Sequence, residues 1–246
     1  MIEKDKGFVL RRYNFRDTSL IVNLYTEKFG KIAGILKGFY TQKKEFSSPL
    51  DSFSLNEFVF YPKKSEIWLI SYVDLISEYS FLRKSFSKAK IASIMLNIVD
   101  KTMQPWDRNC FIFSLLGKSL SLLSNEKENK ILCIFLIKFL TFSGFKPELN
   151  HCIGCNSVLG REMFFSVSKG GLVCEKCYPS LDDAQGVSNE TSRSLAYIQN
   201  TDFSLVLRLN FSLRCEKEIF NILGRFLSYH FEFFDLLNLP DTALVS

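Results

Sequence analysis

Four cysteines carry the sharpest chemical signal in this sequence: Cys152-x2-Cys155, eighteen intervening residues, then Cys174-x2-Cys177. Two thiolates separated by two residues can reach one ion from a tight turn. Two such knuckles supply the tetrahedral sulfur set of a structural zinc site. Between them, Phe164-Phe165-Ser166-Val167 and Gly170-Gly171-Leu172-Val173 read as a hairpin that draws the knuckles together, and Gly154 and Asn156 give the first knuckle its turn. The alternative is two unrelated thiol pairs, which leaves the spacing without a reason. A set of four cysteines has no open coordination position, so the expected zinc is structural and not catalytic. His151 adjoins the first knuckle and is expected as a neighbour, because the set is complete without it. Cys110, Cys133 and Cys215 lie in apolar helical surroundings and read as small core hydrophobes.

The second signal is cations interleaved with rings near the front of the chain. Arg11, Arg12 and Arg16 accompany Tyr13 and Phe15, while Lys37, Lys43 and Lys44 accompany Phe39 and Tyr40. Residues 1–44 hold ten Lys/Arg against four acids, inside a whole-chain net charge of +5. Cations along a backbone and rings for base stacking are what a single-stranded nucleic acid needs. Solvated loop charges around ordinary strand aromatics would look the same in composition, so the fold context decides between them. A third group, Arg83, Lys84, Lys88 and Lys90, sits beside an apolar helical pattern, with Lys101 and Arg108 following. It reads either as the rim of a groove or as a solvated helix face.

Catalytic arrangements are not evident. Gly117-Lys118-Ser119 imitates the end of a phosphate-binding loop, but the earlier glycine of that motif would fall at Ile112, and the tripeptide lies mid-helix. The two histidines, His151 and His230, stand beside the cysteines and in a Phe-rich terminal stretch. The expectation is a protein that is not an enzyme.

The elements that must position these residues follow from periodicity. Gly7–Asn14, Asp17–Glu27, Gly30–Lys37, Ser54–Tyr61 and Ser65–Val73 read as five strands, antiparallel by their short connections, in a small barrel. Such barrels often bind oligonucleotides, which favours the nucleic-acid reading of the cations. Helical spacing then runs over Ser77–Met103, Asp107–Ser124, Glu128–Ser143, Ser188–Asn200 and Leu205–Leu239. The third helix is apolar almost all round and is expected to be the central one. The fold class is therefore α+β and multidomain: an N-terminal five-stranded barrel over 1–80, then a helical domain over 81–246 with a four-cysteine zinc hairpin inserted at 148–180. Charges from Glu3 onward do not suit a secretory signal, and Ile131–Phe145 is too short to span a bilayer, so a cytoplasmic protein with no membrane partner is expected.

The order of parts resembles the RecO family of bacterial recombination and repair mediators. Gly7-Phe-Val-Leu, Tyr13, Asp17-Thr-Ser-Leu-Ile-Val, Leu24, Thr26, Gly30-Lys31 and Lys37-Gly38 resemble the family's N-terminal domain. Cys152-Ile-Gly-Cys155, Phe165-Ser166, Gly170-Gly171 and Cys174-Glu-Lys-Cys177 resemble its zinc segment. The resemblance implies an OB-fold barrel, then a helical domain with zinc, in a protein that binds single- and double-stranded DNA. It also implies annealing of complementary strands, action with RecR, and loading of RecA onto strands coated by single-strand-binding protein. The acidic-apolar tail of that last protein is the implied visitor to the Arg83–Lys90 rim. Two departures stand out: Phe231-Glu232-Phe233-Phe234-Asp235 follows His230 where the family often has a basic stretch, and Arg16 replaces an acidic residue. The first makes a protein partner at least as plausible as a DNA contact at that end. A single-strand RNA-binding module is the alternative function, although its usual barrel has no role for a long helical domain. A purely structural adaptor would leave the front-end cations without purpose.

Overall fold

Period-two alternation of apolar residues builds the first half of the chain into a barrel. The computed structural model describes residues 2–41, 48, 50–62 and 66–231. Five strands, β1 (Glu3–Phe15), β2 (Ser19–Thr26), β3 (Gly30–Leu36), β4 (Leu55–Tyr61) and β5 (Ile67–Ser77), close in the order β1-β2-β3-β5-β4. Val9, Leu20, Val22, Leu24, Ile32, Leu36, Phe58, Phe60, Ile70 and Val73 point inward and fill it. Antiparallel pairing holds for four of the five seams, but β3 and β5 run parallel, with Ala33 opposite Ile67. That seam joins strands that are not consecutive, so a short-connection rule does not apply to it. The ring that closes β1 onto β4 is the five-stranded OB arrangement.

The chain divides into two compact units, Met1–Asn125 and Glu126–Ser246. The first unit adds to the barrel a 3-10 turn at Ser80–Lys84, α1 (Phe86–Thr102) and α2 (Cys110–Leu122). The helix expected over Ser77–Met103 is thus shorter. Ser85 is extended (φ −137°, ψ 117°), and its hydroxyl accepts the Lys88 N–H, which starts α1 afresh. The spacing of Phe81, Leu82 and Phe86 hides this cap. Asn109 caps α2 by accepting the Phe111 and Ile112 N–H groups. The adjacent Cys110 is exposed and not in the core, because the buried stripe of α2 begins at Ile112. Gly117 lies within 3.2 Å, at an added Cβ, of the Phe8 ring, so packing accounts for the glycine of the Gly-Lys-Ser imitation.

A buried carboxylate ties barrel to helix inside this unit. The Asp100 side chain, 7% exposed, meets Arg11 Nε at 2.5 Å and Lys31 Nζ at 3.2 Å. Removing the acid strands two cations that have given up water for it. With both cations partly solvated, Asp100→Ala is expected to cost about 2 kcal/mol, below the 3–5 of a fully buried pair. A lowered urea midpoint at unchanged m-value would show this, and an unchanged midpoint would refute it.

In the second unit, α3 (Glu128–Phe142) is the central helix, buried at every residue from Lys130 to Leu140. Its two lysines have specific duties. Lys138 Nζ donates to the Thr201 and Gln199 carbonyls at 2.5 and 3.3 Å, where α4 (Asn189–Asn200) ends. Lys130 Nζ donates to the Leu207 carbonyl at 2.5 Å, beyond α5 (Phe203–Val206). Cations at helix C-termini satisfy carbonyls that lack helical partners. Burial pushes the Lys138 ammonium below its ordinary pKa. The stretch expected as one helix over Leu205–Leu239 is broken by Ser212, whose hydroxyl caps α6 (Leu213–His230) through the Cys215 N–H. Residues 232–239 of that expectation lie outside the described residues.

Candidate metal centre and nucleic-acid interface

The metal centre is built on a three-stranded sheet in the second unit. β6 (Met163–Ser166) pairs with β7 (Gly171–Cys174), as the hairpin reading requires, and β8 (Gln185–Gly186) adds to the other edge of β6. Two residues are too few to register as a strand in sequence, so β8 was not foreseen. Met163 stands opposite Cys174, which places the second knuckle at the hairpin's end. The first knuckle is turned by Asn156 at φ 59°, its N–H bonded to the Cys152 carbonyl at 2.7 Å. Phe164 stacks on Tyr178 at 3.7 Å and backs the second knuckle.

The four Sγ atoms of Cys152, Cys155, Cys174 and Cys177 lie within 4.8 Å of one another, and Cys155 to Cys174 is 3.7 Å. A tetrahedral zinc with bonds of about 2.3 Å requires sulfur edges of about 3.8 Å. The donors fit such an ion, and His151 stays outside the cluster. The electrostatics fit as well. At Cys152, burial pushes the thiol up, but the Cys174, Cys155 and Gly154 N–H groups outweigh it and lower the pKa. Ser157 lowers Cys155, and the Cys177 N–H lowers Cys174. Hydrogen bonds to Cys155, Cys152 and Cys174 push the Cys177 thiol up to about 12, so protons are shared within the cluster. A divalent cation is the natural replacement for those shared protons.

Gly154 has a steric duty in this centre. A Cβ there would stand 3.1 Å from Cys177 Sγ and 3.8 Å from Cys152 Sγ. Gly154→Ala is therefore expected to weaken metal affinity by about tenfold, the scale of changes just outside the ligand set. Competition with a chromophoric chelator measures this, and equal affinities would refute the steric reading.

The nucleic-acid residues gather in part. Arg16 occupies the turn between β1 and β2 at φ 55°, its guanidinium 5.3 Å from the centre of the Phe15 ring. The turn holding Lys37 folds beside it: Tyr40 donates its hydroxyl to Asn14 Oδ1 at 2.6 Å and its N–H to the Thr18 carbonyl at 3.2 Å. Tyr13, Phe15 and Tyr40 are 47, 39 and 48% exposed, so one barrel edge carries three open rings with Arg16 and Lys37. Neither of these two cations has an ion pair among the described residues.

Arg11 and Arg12 are differently placed. Arg11 belongs to the Asp100 cluster, and Arg12 meets Asp51 at 2.9 Å. Arg83 shares the same Asp51 carboxylate at 2.9 Å. Lys43 and Lys44 lie outside the described residues. Of the remaining rim, Arg83 and Lys84 fall on the 3-10 turn, while Lys88 and Lys90 fall on α1. Lys88 Nζ donates to the Ser124 carbonyl at 3.0 Å. The apolar stripe of α1 is buried, and Phe86, 86% exposed, is its open apolar side chain among the described residues. Sequence reasoning had no signal for Asp51 and Asp100 as counterions, since each lies tens of residues from its arginine.

Comparison with known proteins adds the decisive observation. A family model described as Recombination protein O N terminal matches residues 1–79, and one described as Recombination protein O C terminal matches 83–239. The chain belongs to the RecO family. It is similar to the DNA repair protein RecO of Syntrophus aciditrophicus, 29% identical over 233 residues covering 92% of this chain and 90% of that one. The RecO of Caldicellulosiruptor bescii is 31% identical over 71% of each chain, and that of Alkaliphilus metalliredigens 26% over 94% and 95%.

Proposed function

We propose that this RecO-family chain is a non-enzymatic DNA-binding mediator of recombination repair. It binds single- and double-stranded DNA, anneals complementary strands, and with RecR helps load RecA onto strands coated by single-strand-binding protein. The observation that carries this reading is the family match over both parts of the chain, joined to a closed barrel of OB order. The open edge of Arg16, Lys37, Tyr13, Phe15 and Tyr40 supplies cations for phosphates and rings for bases. Arg12, Lys43 and Lys44 are the further cations assigned to this contact, the two lysines from the sequence alone. One structural zinc, held by the four cysteines, would lock the insert. Lys84, Lys88, Lys90 and Arg83, with Phe86, offer charge and an apolar contact to the acidic-apolar tail of single-strand-binding protein. No helix among the described residues is long and apolar enough to cross a membrane. A cytoplasmic, nucleoid-associated protein follows from this reading.

Anisotropy titration of labelled single- and double-stranded DNA, with same-sequence RNA as competitor, tests it. Binding of both DNA forms, displaced poorly by RNA, is expected. RNA that competes better than DNA would favour an RNA-binding module instead.

A further inference from the structure

A cleft of about 340 Å³ opens on the outer side of β2 and β3, lined by Asn23, Lys31, Ala33, Glu66, Pro105 and Trp106. Asn23 and Ala33 are cross-strand partners, and the small alanine leaves room between them and the far wall. That wall is the segment after α1. Pro105 bridges to Lys31 as if it were a further strand, and the Trp106 N–H donates to the Lys31 carbonyl at 2.9 Å. Trp106 holds a left-handed backbone, φ 66°, that a bulky side chain rarely adopts. Its ring is backed by Trp68 at 4.8 Å yet remains 43% exposed. Strain at a half-exposed aromatic, on the barrel face that OB folds use, marks a place for a ligand.

The charges select the kind of ligand. Lys31 is answered by Asp100, while Glu66 is exposed at the rim. Among the described lining residues, a phosphate meets a lysine already held by Asp100 and an acid that opposes it. A flat ring with an amino donor on its edge has a stacking surface, a carboxylate acceptor and an amide. We propose that this cleft receives one unstacked nucleobase of the bound strand, stacked on Trp106 and read at its edge by Asn23 and Glu66. The proposal rests on the DNA-binding reading above and adds a preference to it. Cytosine, adenine and guanine each offer an amino group to Glu66, whereas thymine flanks its single N–H with two carbonyls.

Trp106 and Trp68 are the two tryptophans of the chain, so Trp68→Phe leaves Trp106 as the reporter. That variant is titrated with oligo-dC and oligo-dT while anisotropy of the labelled strand and Trp106 emission are both read. Binding should quench Trp106, more strongly with oligo-dC, and shield it from acrylamide. Glu66→Gln should bring the two oligomers to equal affinity. Trp106→Gly, which accepts the left-handed backbone, should weaken oligo-dC by about fivefold or more, the scale of one lost stacking contact. Strand binding with unchanged Trp106 emission and shielding, or a dC preference untouched by Glu66→Gln, overturns the proposal and leaves the DNA reading standing. No anisotropy change with either oligomer overturns both.

Discussion

Removing metal from the four-cysteine cluster is expected to melt the two knuckles of the 148–180 insert while the barrel keeps its fold. Phe165 and Leu172 of the hairpin are anchored in the core, Phe165 against Phe226 of α6, whereas the knuckles have little else to hold them. Their buried cluster consists of Cys152, Val173 and Cys174, with Leu159, Phe164, Cys177, Leu181 and Ala184 packed partly against it. Most of the buried members are themselves ligands. Binding free energy of structural zinc, about 10 kcal/mol or more in small sites, then becomes folding free energy of the insert. Cys174→Ser removes the thiolate that sits 3.7 Å from Cys155 but keeps the backbone N–H that lies 3.3 Å from Cys152 Sγ, so the change opens one corner of the tetrahedron. The expected result is one zinc per chain in carefully prepared wild-type protein. The variant should lose amide protection around the knuckles of the insert while retaining DNA binding. Elemental analysis that finds no bound metal would refute the account of this centre.

The second large effect is on DNA affinity. If the barrel edge neutralises about four to six phosphates of a single strand, log K falls against log salt with slope roughly −3 to −4. Affinity then drops by roughly 60- to 250-fold between 50 and 200 mM salt. Replacing Arg12, Lys37 and Lys44 together by alanine should weaken binding across sequences. Arg16→Ala with Lys37→Ala should flatten the slope by roughly 1.4, since each contact to a single strand contributes about 0.7. Arg11 is a poor probe, because its loss also disturbs Asp100. A flat salt dependence, or affinity unchanged in both combinations, would count against this edge.

The parts of the fold that depend on local pattern were legible before the structure. Alternation through Leu20, Val22 and Leu24 gave β2, and the Glu27–Gly30 turn gave the β2–β3 hairpin, which Thr26 closes by bonding the Gly30 carbonyl at 3.0 Å. Cysteine spacing led directly to the cluster, because two short turns and a hairpin decide where four sulfurs go. What stayed hidden depends on residues far apart in the chain. The parallel β3–β5 seam, the sharing of Asp51 by Arg12 and Arg83, and the Asp100 cluster are all of this kind. Composition therefore weighted Arg11, Arg12, Arg16 and Lys37 equally, although acids already engage the first two. Trp106 was missed for a related reason: nothing in Gln104-Pro105-Trp106 tells that its backbone bonds to β3.

Annealing of complementary strands is the activity that most directly tests the central claim, that this chain handles DNA strands as a repair mediator. Two complementary DNA oligonucleotides, one carrying a donor and one an acceptor dye, are mixed with and without the protein, naked and then coated by single-strand-binding protein. The account predicts annealing well above the spontaneous rate, slowed by rising salt and by Arg16→Ala with Lys37→Ala. Annealing no faster than the spontaneous rate at low salt, by protein that holds its zinc, would contradict it.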